Sequence, residues 1–498
     1  MDPQRIVSGS RWVALTTLAT SAIGLVTTVL LPKFIRPEEY GLFALGILVM
    51  AVIQRLGNFG QNEFIIYKGR EQSGALECAF TTFLLSNILF LVLQIVFADA
   101  LASFFHNPRL GSLYRWMALG YLLSAFILVP SALLNRELEF KKKFWPEFLG
   151  VLAYTGVGLS LAISGAGVWA LIAATWAMSV VHLVLMWVLS GWRPALGLNS
   201  KSLGEMFRYG MPLFLFGLVG YLFQNLDRLA LGKFLEIKEV GYYTVAFQFA
   251  LVLSTKANGI ISTVAFPSYA QVQRDKDQVK GLYLKALYAS SFAAGAIALA
   301  TILLADPFIR WVYGSSWLPA VEPLQILALY GFIVLLISPA VMVFMALGQT
   351  RTVFYVGLLN LVLAVVFMPL ALRFGIKGVA LLMTATSLVG GLTAMGLAHR
   401  TLGLKIRRVL LPLGIFPVIA FLGLLVGLFV SHWVTPLSWA LRSILPAGLG
   451  VVLYVGIVLG IDRDIRRILK QLLGGSWAVG EASLQEPLKA EGPREPPR

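Results

Sequence analysis

The chain has 498 residues, of which 58% are hydrophobic and only 13% charged, and its formal net charge is +16. Apolar stretches near twenty residues recur from end to end, each long enough to cross a hydrocarbon core of about 30 Å, which excludes an ordinary soluble domain. The basic excess therefore reads as loop charge of a membrane protein, with no nucleic-acid partner. One cysteine, Cys78, allows no intramolecular disulfide. His106, His182, His399 and His432 are scattered without metal-ligand spacing, so neither a metal nor another cofactor is expected.

The first apolar run lacks a small-residue cleavage site and reads as a spanning helix, not a removed leader. In chain order the spans are expected at 12–32, 41–60, 77–98, 113–134, 147–164, 167–190, 210–232, 240–266, 284–305, 322–346, 353–372, 377–398, 409–430 and 437–460. The fold class is thus all-α integral membrane, with about fourteen transmembrane helices. The second and eighth spans carry polar residues inside them. After the last span, Asp462–Leu473 alternates basic and apolar residues at helical spacing, as an interfacial helix does. The Pro-, Glu- and Gly-rich tail beyond Gly474 is expected to lack fixed structure.

Fourteen spans put both termini on one side. The N-terminus, the loops after even-numbered spans and the C-terminus together carry 28 Lys and Arg, against 10 in the other loops. That asymmetry places both termini in the cytoplasm.

The two halves resemble each other. At an offset of 200, Leu31-Pro-Lys-Phe-Ile-Arg-Pro-Glu-Glu-Tyr-Gly41 lies over Leu231-Gly-Lys-Phe-Leu-Glu-Ile-Lys-Glu-Val-Gly241. Further on, Phe97-Ala-Asp99 matches Leu304-Ala-Asp306, Leu133-Leu-Asn-Arg136 matches Ala346-Leu-Gly-Gln349, and Gly167-Val168 matches Gly378-Val379. Collinear matches at a slowly drifting offset point to duplication of six spans, and six is even, so both copies share one orientation. The expected organisation is a six-helix lobe over 1–190, a linker over 191–209, a pseudo-symmetric six-helix lobe over 210–400, and two added helices over 401–462. Residues 463–498 would form a cytoplasmic amphipathic helix and tail. Two such lobes can rock and open a polar chamber toward either leaflet in turn.

Several segments together resemble a known family. They are Gly9-Ser-Arg-Trp12, Pro37-Glu-Glu-Tyr-Gly-Leu-Phe43, Leu134-Asn-Arg-Glu-Leu-Glu-Phe140, Asn225-Leu-Asp-Arg228, Val240-Gly-Tyr-Tyr243 and Phe266-Pro-Ser268. The set is similar to the polysaccharide and O-antigen flippases, in the superfamily that also holds the multidrug and toxin extruders and the lipid II flippases. The resemblance implies movement of a lipid-linked oligosaccharide, on an undecaprenyl pyrophosphate carrier, across a bacterial inner membrane without enzymatic chemistry. Partners implied are that substrate, membrane lipids, a coupling cation (H+ or Na+), and glycan polymerases or other assembly proteins. In the lipid II branch, basic residues on helices 1, 2 and 8 meet the pyrophosphate; the matching helices carry Arg11, Arg55 and Lys256. That branch also forms a groove for the lipid tail from its last two helices.

Charged residues within spans carry the remaining expectations. A lysine at mid-helix costs about 3 kcal/mol on insertion scales, so Lys256 either contacts phosphate in a cavity or snorkels to the interface. Asp227 and Arg228 point about 100° apart on a helix and each needs a partner elsewhere. Asp227 reads as a proton or cation site and Arg228 as an anion contact, or both as parts of an interlobe salt bridge. Arg55, beside Gln54 and Asn58, is a phosphate contact or an interfacial anchor.

Two other functions compete. A multidrug exporter of the same fold would need acidic cavity residues, and only Glu63 stands near a span end in the first half. A membrane polysaccharide polymerase or ligase would need a catalytic acid such as Glu38 or Glu39. Glu239 recurs in the equivalent turn, which favours a helix-start role for all three.

Overall fold

A chain that must satisfy its backbone polar groups away from water can do so within single helices, and every regular element among the described residues is helical. The computed structural model describes residues 3–57, 65, 74–199, 203–205, 220–222, 224–404, 414, 416–433, 439–461 and 465–467. The helices are α1 (Pro3–Phe34), α2 (Pro37–Gly57), α3 (Ala75–Phe104), α4 (Pro108–Tyr121), α5 (Ser124–Arg136), α6 (Phe140–Ile163) and α7 (Val168–Ser190). Then come α8 (220–222 and 224–234), α9 (Ile237–Gln271), α10 (Lys276–Val312), α11 (Val321–Ala346), α12 (Thr350–Leu372), α13 (Gly375–Leu402), α14 (Phe416–Trp433) and α15 (Trp439–Ile461).

Helical residues fall on all fourteen expected spans, although 210–219 and 223 of the seventh lie outside the described residues. Among the described residues, ten helices are long and apolar enough to cross a membrane, or eleven if α4 and α5 form one span bent by 41°. Two further apolar helices, Phe416–Val430 and Leu445–Ile461, are shorter. The protein is thus a multi-pass, all-helical membrane protein. Of the expected interfacial helix only 465–467 are described, and the tail lies outside the described residues. Lipid-facing character is visible on α3, where Leu85, Leu89, Val92 and Val96 expose an apolar stripe at helical spacing.

The chain divides into two compact units. The first is Met1–Val245 with Ile309–Pro319, and the second is Ala246–Phe308 with Ala320–Arg498. In the first, α6 and α7 pack side by side through a short turn, and α1 lies along α6. The Thr27 and Thr155 hydroxyls meet at 2.5 Å across that contact. One hydroxyl donates to the other, and the acceptor donates to the carbonyl four residues earlier on its own helix, which keeps both satisfied inside an apolar bundle. The kinked span begins at Asn107, whose side chain accepts the Arg109 amide at 3.0 Å, with Pro108 in the first turn.

In the second unit α11, α12 and α13 form the main packed group. Its core gathers Tyr269, Tyr283, Leu287, Leu335 and Phe344. The last two helices cross at Gly423 and Gly450, where a Cβ on either would sit 2.9 Å from the other's carbonyl oxygen. Small residues let membrane helices approach closely, and close approach supplies the packing that the hydrophobic effect does not provide within lipid. Tyr454 on α15 is fully buried and donates its hydroxyl to the Phe292 carbonyl at 3.1 Å.

Candidate functional site

The first unit's α2 has two contrasting ends. At its start, Pro37 takes the first helical position and Glu38 and Glu39 occupy the first turn. The Glu39 carboxylate lies against Gly167, just before α7, so it serves a second helix N-terminus as well. Glu239 occupies the equivalent place in α9 and accepts the Glu236 amide at 3.3 Å.

Here α2 and α9 cross with backbones in contact. A Cβ on Gly41 would collide with the Ile237 carbonyl, and one on Gly241 would collide with the Pro37 carbonyl. These are one contact exchanged through the 200-residue offset, the reciprocity that a two-fold relation produces. Above the crossing, buried Trp317 is ringed by Tyr40, Tyr242 and Tyr313 at centroid distances of 6.0, 5.9 and 5.7 Å. Tyr313 also donates to the Thr28 carbonyl at 3.3 Å.

Asp227 belongs to this closed end. It is wholly buried, and it accepts the Tyr243 hydroxyl at 2.7 Å and the Arg228 amide at 2.8 Å. Its partner side chain is on another helix, as the 100° separation from Arg228 requires.

The far end of α2 is open and cationic. Gln54 and Arg55 are exposed, and the Arg55 guanidinium stands 3.9 Å over the Tyr221 ring while donating to the Ala51 carbonyl at 3.2 Å. Along α8 a polar ladder follows. Asn225 donates to the Tyr221 carbonyl at 2.9 Å and accepts Arg228 Nη1 at 2.8 Å. The planar Arg55 guanidinium at this exposed helix end is suited to a phosphate, since it can present paired donors.

Of the residues singled out in the sequence, the structure sets Arg55 over Tyr221, ties Arg228 to Asn225 on its own helix, and turns Asp227 toward Tyr243. Arg11 is exposed on α1 of the first unit, and Lys256 is exposed on α9 in the second. Asn58 and Glu63 lie outside the described residues. Tyr221 and Trp317 were not nominated. A tyrosine among many in apolar helices carries no sequence signal, whereas Asn225 was legible as the residue three before Arg228. Among the described residues no three His, Cys, Asp or Glu side chains gather as metal ligands would.

The recurrent apolar helices define a multi-pass, all-helical membrane protein. The chain matches the family described as polysaccharide biosynthesis protein over residues 30–322, and it belongs to that family. It is 27% identical to the lipopolysaccharide biosynthesis protein WzxC of Escherichia coli, covering 66% of this chain and 68% of that one. It is 23% identical to the succinoglycan biosynthesis transport protein ExoT of Rhizobium meliloti, covering 70% and 71%. Its fold matches the lipid II flippase MurJ with a TM-score of 0.69 at 18% identity, covering 89% of this chain and 98% of that one. The chain is a multi-pass membrane protein of the polysaccharide biosynthesis family.

Proposed function

We propose that the protein moves a lipid-linked oligosaccharide, on an undecaprenyl pyrophosphate carrier, across the bacterial inner membrane by alternating access. The observation that carries this reading is the exposed Arg55 guanidinium over Tyr221, with Arg228 held by Asn225 further along the helix that bears Tyr221. The two arginines give the first unit cationic positions on helices that otherwise carry few charges. Fixed cations also suit this substrate better than a cationic drug.

Fourteen spans with both termini cytoplasmic, and six-helix lobes over 1–190 and 210–400, complete the reading. The reciprocal crossing at Gly41 and Gly241 supports it, because duplicated halves of parallel orientation bring equivalent turns to one side. Arg11 and Lys256 are assigned as additional phosphate contacts. Asp227 is assigned as the coupling-ion residue, with the Tyr243 hydroxyl as the donor that leaves when a cation or proton takes its place. Moving one charge across 100 mV supplies about 2.3 kcal/mol, enough to bias such a step.

The test is depletion of the protein in its own cell, followed by sidedness of the lipid-linked precursor. Accumulation on the cytoplasmic leaflet is expected; undisturbed appearance on the outer leaflet refutes the assignment.

A further inference from the structure

One end of the second unit's core brings three ionisable rings together from three helices. Tyr269 lies in the last turn of α9, Tyr283 near the start of α10, and His399 in the last turn of α13. Both tyrosines are buried, and they share an apolar core with Leu287, Phe344, Ala398 and Leu402. The Tyr283 hydroxyl stands 3.2 Å from His399 Nε2, with the rings edge to face at a centroid distance of 5.9 Å. This contact is a polar tie between the α9–α10 hairpin and α13. The neighbouring Tyr269 hydroxyl has no hydrogen-bond partner among the described residues, so it adds no second tie.

The imidazole is held in place by its own helix end. Gly403 takes the left-handed conformation that closes α13, and the Leu404 amide returns to the His399 carbonyl at 2.9 Å. His399 is half-buried and lies one residue beyond the expected span 377–398, so it meets water that Tyr283 does not.

The tie depends on which ring atom carries a proton. A buried phenol needs an acceptor for its O–H. A neutral imidazole protonated on Nδ1 supplies one at Nε2, whereas a charged ring donates from both nitrogens. Protonation therefore sets two donors face to face. It also places a cation beside buried phenols with no carboxylate to balance it. Tyr283 on α10, and Tyr269 on α9 next to it, are the titratable groups that face the ring. Among the described residues α11 and α12, which also pack on α13, bring no charge to it. Arg400, the next residue on α13, is exposed about 100° around the helix. An unbalanced charge costs more in that position than one hydrogen bond returns, so the charged ring withdraws.

We infer that Tyr283 and His399 form an acid-released latch, closed while the imidazole is neutral and open once it is protonated. Histidine changes charge between about pH 5 and 8, so the latch answers modest acidification. Its release frees the end of α13 from the hairpin whose first helix carries Lys256. The latch itself needs only the packing of the second unit. Its effect on transport, and its place on the cytoplasmic side, rest on the flippase reading.

The experiment follows amide hydrogen exchange, corrected for intrinsic rate, in the full-length protein in detergent at about pH 7.5 and about pH 5.5. In the unmodified protein, exchange at the ends of α9 and α13 should rise roughly threefold or more across that step. His399→Gln keeps an acceptor that does not titrate and should lose most of the rise. Tyr283→Phe should exchange faster already at the higher pH and respond little to the lower. His106→Asn, at an exposed site in the first unit, should respond as the unmodified protein does. An unchanged rise in His399→Gln overturns the latch, as does full protection of Tyr283→Phe at the higher pH. In cells, benzoate acidifies the cytoplasm, and glycan export should then fall in the unmodified strain more than in the His399→Gln strain. Equal falls overturn the latch's part in transport. Normal flipping of the lipid-linked precursor in cells lacking the protein refutes the flippase reading and leaves the exchange result standing.

Discussion

The two ends of α2 show how one helix is used in two ways. At Pro37–Phe43 it is pressed backbone to backbone against α9 and sealed by Trp317, with Asp227 buried alongside. At Gln54–Arg55 the same helix is exposed and carries its charge over Tyr221. The closed end is built from glycine and aromatic contacts, which tolerate little change in volume, whereas the open end is built from long polar side chains that tolerate a great deal. Damage at the first should therefore read as lost stability. Damage at the second should read as lost transport.

The largest effect is expected from Trp317→Ala, which empties the centre of the aromatic cluster and should cost about 3–5 kcal/mol in a detergent unfolding titration. A loss below 1 kcal/mol would mean that the cluster does not hold this end together. Gly241→Ala comes next, because the new methyl group meets the Pro37 carbonyl; about 1–3 kcal/mol is expected. Gly241→Ala and Gly41→Ala should cost similar amounts, since their contacts are reciprocal, and a strong asymmetry would break the comparison. Tyr243→Phe removes the hydroxyl from Asp227 and should cost about 1–3 kcal/mol, with Asp227→Asn recovering part of it in the double variant.

At the open end, Arg55→Ala should leave stability within about 0.5 kcal/mol while lowering glycan export at least tenfold. Arg55→Lys should restore only part of that export, because lysine lacks the planar paired donors.

The smallest expected effect lies at the start of α10. Asp275 accepts the Gln278 and Asp277 amides, and these bonds, the Gln278 amide first, hold its carboxyl below the ordinary value of 3.8. A lowered folded value means its contribution is present above the ordinary carboxylate pKa and is lost as pH falls through the folded value. Asp275→Asn should therefore barely change the melting temperature at pH 7 and should flatten its decline below pH 4.

The helices were largely legible because burying a backbone in lipid demands long apolar runs, and those runs are written one after another in the chain. The 200-residue repeat was legible for a related reason: equivalent turns need Gly, Glu and a following aromatic at the same spacing. The break between α4 and α5 was not, since Leu122 and Leu123 are as apolar as their neighbours and a single glycine, Gly120, is common inside membrane helices.

The site divides in the same way. The sequence by itself determined that Arg55, Asp227, Arg228 and Lys256 needed explanation, because charge within an apolar segment is costly wherever it ends up. Only the tertiary structure decided their partners. It set Arg55 over Tyr221, tied Arg228 to Asn225, and turned Asp227 toward Tyr243. Those pairings span up to 166 residues of chain and depend on which helix faces are pressed together, a property of packing geometry that local composition does not record.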